Sequence, residues 1–314
     1  MAMYRTLWMV SLLAAFGSVA QARNLEVGAG KEFKMPSDAA AAAKTGDRIQ
    51  IFPGEYFDCA TLRVNNLVIE GMGDAAKVQM TDKACGGKGM LITIGNNITV
   101  RNLTLTRARV PDGNGAGIRN EAADLTVDGV RFVNNQNGIL STPQVAGTIR
   151  VVNSVFERNG SCAVSGGCAH GIYVGNANLL QVEKSVFQGT KQGHHIKSRA
   201  KRTEVIDCTI QDGDEGTASY LIEQPNGGTL IVRGNTMQKG PEAENHVAAI
   251  MIGSEGVEQP TREITIENNT FRNDGAWTTS FVDNRTATDA MLRGNRLSGH
   301  VKPLTGDGKV IAGQ

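Results

Sequence analysis

Eight segments of this chain are variations on one short theme, and that repetition restricts the fold more than any other feature of the sequence. ITVRNLTL, LTVDGVRF, IRVVNSVF, LQVEKSVF, TEVIDCTI, LIVRGNTM, ITIENNTF and AMLRGNRL mostly carry an aliphatic residue, a polar pair, and an apolar residue five places after the first. The aliphatic anchors are Val100, Val127, Val151, Val182, Val205, Val232, Ile266 and Leu292, recurring every 23 to 34 residues. Between them lies a second set: GAGIRNEA, QNGILSTP, AHGIYVGN, GHHIKSRA, ASYLIEQP, AAIMIGSE and TSFVDNRT. Its central apolar residues are read as Ile118, Ile139, Ile172, Ile196, Leu221, Ile250 and Val282. Each repeat thus supplies one strand of the second kind, then a bent pair of strands around an Asn, Asp or Gly turn, then a loop of variable length. One coil cannot bury its apolar face alone, whereas stacked coils make a continuous core.

The expected fold is all-β, a single-stranded parallel solenoid of roughly 8–10 coils. The 38 glycines against 8 prolines fit a turn-rich β chain. Ser37 to Ala43 reads as a short helical cap. Equivalent residues of neighbouring coils should form columns about 4.8 Å apart. One predicted column holds Ser154, Ser185, Cys208, Asn235, Asn269 and Asn295, which gives Cys208 a place as a small group in an internal stack.

The opening MAMYRTLWMVSLLAAFGSVAQA has one early positive charge, an apolar run and a small-x-small end, the layout of a secretory signal. Residues 1–22 are therefore read as a signal peptide, 23–300 as the solenoid and 301–314 as a C-terminal tail. The expectation is a secreted or periplasmic monomer with no membrane insertion. A formal net charge of +1 gives no electrostatic case for nucleic acid, so an anionic partner must meet a local patch. Five cysteines suit an oxidising compartment: Cys162 and Cys168 bracket a short loop, and Cys59 could pair with Cys85 across one repeat.

These strands, with the entry segment AKTGDRIQIFPGEY, resemble right-handed parallel β-helix proteins of the pectate-lyase-like superfamily. The resemblance covers nearly the whole mature chain. It implies the fold, not one activity, because the superfamily includes lyases, hydrolases, epimerases and non-catalytic adhesins.

Strict alternation about Ile196 sends His195 and Lys197 outward. The column after the anchor then reads Arg119, Leu140, Tyr173, Lys197, Ile222, Met251 and Asp283. The column before it reads Gly117, Gly138, Gly171, His195, Tyr220, Ala249 and Phe281, with the glycines keeping a groove open. The expected patch is His195, Lys197, Tyr173 and Tyr220, extended by Arg119 and Arg199. A solvated cationic surface with cation–π contacts is the competing explanation. No cofactor is expected; Asp212, Asp214 and Glu215 of DGDEG are candidate calcium ligands, with an acidic turn the preferred reading. His170 and His194, two places before the anchor, are read as satisfying backbone groups rather than binding metal.

Hydrolysis of a glycosidic bond needs two carboxyl groups about 5–9.5 Å apart. In this register Glu223 points inward or toward a corner, and the outward acids Glu121 and Asp283 are roughly 29 Å apart. Hydrolysis is therefore disfavoured, and uronate epimerisation stands behind it. GHHIKS is similar to the Gly-His-Gly and Arg-Ile-Lys elements of β-helix polygalacturonases, but their paired aspartates have no match. The Lys-Ser pair resembles the basic lysine motif of chondroitinase-B-like and alginate lyases. β-Elimination in an acidic, uronic-acid-containing polysaccharide is the favoured chemistry. Arg119, Arg199 or Lys197 would neutralise the carboxylate, His195 or Lys197 would be the base, and Tyr220 or Tyr173 the acid. The alternative is a non-catalytic binding or matrix protein for acidic exopolysaccharide.

Overall fold

The computed structural model describes residues 21–162 and 167–311. Almost all of the expected signal segment therefore lies outside the described residues. Three sheets, of 12, 10 and 10 strands, run the length of the molecule, and every named strand pairs in parallel with its counterpart one coil away. Strands from successive coils follow one another in chain order within each sheet, the pattern of a solenoid.

The first set of anchors forms one unbroken column: Val100, Val127, Val151, Val182, Val205, Val232, Ile266 and Leu292 are successive register partners. All eight are buried. The turn that follows each anchor needs a left-handed residue, which explains the Asn, Asp and Gly found there. Asn102, Gly129, Asn153, Asp207, Gly234, Asn268 and Gly294 all have φ between 49° and 69°. Lys184, at φ 48°, is the exception in this column.

Inside, the small polar column runs as expected. Ser154 N–H donates to Ser185 Oγ, Cys208 N–H to Asn235 Oδ1, Asn235 N–H to Asn269 Oδ1 and Asn269 N–H to Asn295 Oδ1. Cys208 is buried, and burial pushes its thiol up to about 12, so it is inert packing. Phe132, Phe156 and Phe187 stack at 4.5 Å between successive centroids. The cap is the helix Pro36–Ala42, with proline at its start and Ala39 and Ala40 buried against the first coils.

Two disulfides form as expected, Cys59–Cys85 and Cys162–Cys168. The presumed tail from residue 301 is instead structured. Val301–Gly306 pairs with Thr279–Asn284, and Gly308–Ile311 with Ala290–Arg293, so the solenoid continues to Ile311. Those last strands alternate weakly and stay exposed, with no further coil over them among the described residues; hence the missing sequence signal. Among the described residues no helix is long and apolar enough to cross a membrane.

One packing prediction follows from the phenylalanine stack. A methyl placed on Gly138 would lie 2.7 Å from a Phe156 ring carbon and 2.4 Å from the Gly171 carbonyl oxygen, both inside van der Waals contact. Gly138→Ala should therefore cost about 1–3 kcal/mol by overpacking, read as a lowered thermal midpoint.

Candidate functional site

The open face of one 10-stranded sheet carries the site, and its register decides which side chains reach it. Ile196 pairs with Ile172 on one side and Ile222 on the other. The interior anchor in the next coil is thus Ile222, one place beyond the expected Leu221. Three bulky residues in succession, Tyr220, Leu221 and Ile222, blur the choice, and a slip of one residue exchanges the faces. The corrected outward column reads Arg119, Leu140, Tyr173, Lys197, Glu223, Met251 and Asp283. Glu223, expected inside or at a corner, stands next to Lys197.

The column before the anchor faces the core. His195 is fully buried, with Nδ1 2.8 Å from Thr190 Oγ1 and Nε2 2.8 Å from Asp212 Oδ1. Leu221, Ala249 and Phe281 are buried with it. His195 and Ile196 both point inward as the chain enters this strand from a corner, so strict alternation fails there. The catalytic role expected of His195 is withdrawn on this geometry. The glycines before the anchor serve the core as well: a methyl on Gly117 or Gly138 would meet Phe132 or Phe156. Asp212 is also interior, and its Oδ2 accepts the Gly240 N–H at 3.0 Å. Asp214 and Glu215 are exposed, and Glu215 lies 3.7 Å from Arg158, so the three carboxylates of DGDEG do not converge. Among the described residues no group of three or more His, Cys, Asp or Glu is placed to hold a metal ion.

His194 is the histidine on the open face. It belongs to a ladder in which each side chain accepts an N–H from the next coil. Asn137 Oδ1 takes His170 N–H at 2.8 Å, His170 Nδ1 takes His194 N–H at 3.0 Å, and His194 Nδ1 takes Tyr220 N–H at 3.2 Å. The His170 and His194 rings stack at 4.8 Å, with Tyr220 beyond at 5.2 Å. Burial, aided by the positive neighbours, drives His170 well below its ordinary range, so it is neutral. With Nδ1 accepting that N–H, the ring hydrogen of His194 sits on Nε2, which lies 3.0 Å from Glu223 Oε2. That nitrogen faces a carboxylate, so the imidazole offers no free lone pair to a substrate. Burial raises the Tyr220 hydroxyl, which hydrogen-bonds Asn245, and Tyr220 is not among the residues that line the cleft over Lys197, so the acid role expected of it is withdrawn.

Four charged groups form the centre. Lys197 Nζ lies 2.9 Å from Glu223 Oε2 and 2.7 Å from Glu255 Oε1. The Glu223 contacts are close but off-axis; its other oxygen accepts from Ser254 Oγ at 2.7 Å. Arg199 reaches Glu255 Oε2 at 2.5 Å, donates from Nε to the Tyr173 hydroxyl oxygen at 2.9 Å, and also contacts Asn226. Burial pulls the Lys197 ammonium down, yet the two carboxylates outweigh it and hold it above the ordinary lysine value. Burial likewise favours neutral Glu223, but His194 and Lys197 keep it well below the usual carboxylate range. Glu255 is lowered in the same way by Lys197 and Arg199. All four groups are ionised at neutral pH and balance one another.

A cleft of about 910 Å³ opens over this centre, lined by His170, Tyr173, His194, Lys197, Arg199 and Glu255 among others. A second hollow of about 350 Å³ shares Tyr173 and Arg199 with it and extends to Arg119, making one groove along the coil axis. Tyr173, Lys197 and Arg199 are thus brought together as expected, while Arg119 sits further along, 3.6 Å from Glu121. Sequence reasoning missed Glu223, Glu255, His194 and Asn226. Glu223 was recoverable from the register, but Glu255 lies on a loop whose spacing gave no signal.

The carboxylates Glu223 and Glu255 flank one ammonium, at 2.9 and 2.7 Å, and so form a close acid pair, the kind of group that glycoside hydrolysis requires. That overturns the expectation that Glu223 points inward or toward a corner, away from any acidic partner. Hydrolysis also needs one carboxyl protonated as general acid, and here both are held ionised. The charges around the pair disfavour it.

Comparison with known proteins bears on the fold. Residues 161–311 match a family model described as a right handed beta helix region. An alginate lyase from Paenibacillus sp. superposes with a TM-score of 0.58 at 16% identity, covering 90% of this chain and 99% of its own. A pectin methylesterase from Aspergillus niger gives 0.43 at 12% identity, covering 91% of each chain. The A-module of an Azotobacter vinelandii mannuronan C-5 epimerase gives 0.40 at 18%, covering 88% of this chain and 93% of that one. No curated protein sequence matches this chain. In fold, the chain is a right-handed parallel β-helix.

Proposed function

We propose that the protein is a carbohydrate-active enzyme, exported to an oxidising compartment, that cleaves a uronic-acid polysaccharide by β-elimination in this groove. The observation that carries the reading is the contiguous trio Lys197, Tyr173 and Arg199 on an open cleft, with Arg199 Nε bonded to the Tyr173 oxygen. Two disulfides support the compartment. The shared fold with an alginate lyase agrees with this class without carrying it.

The roles follow from position. Arg199 neutralises the sugar carboxylate, which makes the adjacent C–H acidic. Lys197, the groove nitrogen not committed to a backbone amide, removes that proton in its neutral form. The electron pair forms a carbon–carbon double bond, the bond to the glycosidic oxygen breaks, and that oxygen takes the Tyr173 phenolic proton. Arg199 already donates to the Tyr173 oxygen, so it also stabilises the phenolate left behind.

The test is a panel of acidic polysaccharides, with and without calcium, followed by the near-ultraviolet absorbance of unsaturated ends. Salt-sensitive retention on acidic polymer with no new ends from any member would replace this reading with that of a binding protein. A pH dependence is also expected. Because Lys197 is raised, its neutral form is scarce at pH 7, so turnover should climb with pH up to the limit of stability. A lysine acting only as a cation would give a flat profile or a fall.

A further inference from the structure

Glu255 stands where a substrate carboxylate would have to bind. Its two oxygens bridge the cations of the groove, Oε1 on Lys197 at 2.7 Å and Oε2 on Arg199 at 2.5 Å. The loop that brings it there has left-handed glycines on either side, Gly253 at φ 78° and Gly256 at φ 97°. Its backbone is tied down: Gly253 N–H donates to Gln224 O at 2.9 Å and Glu255 N–H to Pro225 O at 3.0 Å. The side chain differs from its backbone, being 42% exposed, against 5% for Glu223. Glu255 can therefore leave the cations by side-chain rotation alone, into solvent, while Glu223 cannot.

We propose that Glu255 is a built-in competitor for the substrate carboxylate, displaced when an anionic sugar binds and retained when a neutral one is offered. This rests on the lyase reading only in taking a uronate as the ligand. An anionic sugar exchanges one carboxylate for another on Lys197 and Arg199, so the cations stay paired throughout. A neutral sugar offers no replacement charge and must leave the internal pair in place.

The experiment is calorimetric binding of saturated oligogalacturonate and oligomannuronate, with a neutral oligosaccharide of equal length beside them, to wild type, Glu255→Gln and Glu263→Gln. The competitor model expects Glu255→Gln to bind one or both anionic oligomers about five- to tenfold more tightly, with the neutral affinity and melting midpoint unchanged. Glu263, an exposed carboxylate away from the groove lining, should change affinity less than about twofold when neutralised, in line with screened surface charge. Unchanged or weaker anionic binding by Glu255→Gln overturns the proposal, as does equal tightening by Glu263→Gln. A drop in melting midpoint with loss of all binding makes Glu255 a structural brace and also overturns it. Failure of the lyase reading is separate: tighter anionic binding by Glu255→Gln, with no wild-type cleavage of any polymer, leaves the competitor standing and removes the elimination.

Discussion

Tyr173→Phe is expected to reduce turnover of a uronate polymer by about 10²–10⁴-fold while retention on the same polymer survives. The substitution removes one hydroxyl and little else. The ring keeps its edge-on contact with His170 at 5.1 Å and its place beside the Lys197 and Arg199 side chains. What disappears is the proton offered to the leaving oxygen and the acceptor for Arg199 Nε. Steady-state production of unsaturated ends, set against binding of the intact polymer, checks the prediction. Unimpaired turnover would move the acid role away from Tyr173. Lys197→Ala should lose as much activity but is the blunter probe, because it also strips Glu223 of a cation in a largely buried setting.

The largest effect on stability is expected at Asp212, far from any sugar. Asp212→Ala leaves His195 Nε2 and the Gly240 N–H without their acceptor inside the coil. Breaking a buried pair from one side costs about 3–5 kcal/mol, measurable by denaturant unfolding. Asn at this position, which still accepts one hydrogen bond, should recover part of the loss. His195→Ala should likewise lower stability, and any fall in activity should track the folded fraction. Full stability with abolished turnover would restore a chemical role to His195. Lys239 adds a pH signature to the same region. It is fully buried, donates to Ser219 O at 2.6 Å, and burial pushes it down to about 8 against the pull of Asp212. Between about 8 and 10.5 the unfolded chain binds more protons at this position than the folded one. The contribution of Lys239 therefore favours the fold increasingly as pH rises through that window, and Lys239→Met should remove this slope.

The architecture was legible because it is written in a repeated period. Eight anchors from Val100 to Leu292 fall in register without a slip, and the left-handed turns that follow them announce themselves as Asn, Asp or Gly. The site was half legible. Lys197, Tyr173 and Arg199 follow from simple alternation about Ile196, where the strand is regular. His195 does not, since the chain is still turning the corner there and two successive side chains point in. Glu223 was lost to a one-residue ambiguity among Tyr220, Leu221 and Ile222, which concealed the carboxylate beside the lysine. Glu255 comes from a loop of irregular length, where periodicity has nothing to say.

The stacked coils also separate how long a polymer is gripped from what is done to it. All the proton-handling groups sit on two neighbouring rungs, whereas the groove extends past them toward Arg119. Duplicating a coil at a distance from Lys197 would lengthen the track by about 4.8 Å per rung and leave the reactive pair undisturbed. Chain-length preference in such a molecule is thus a matter of adding or removing storeys, open to change while the chemistry holds still.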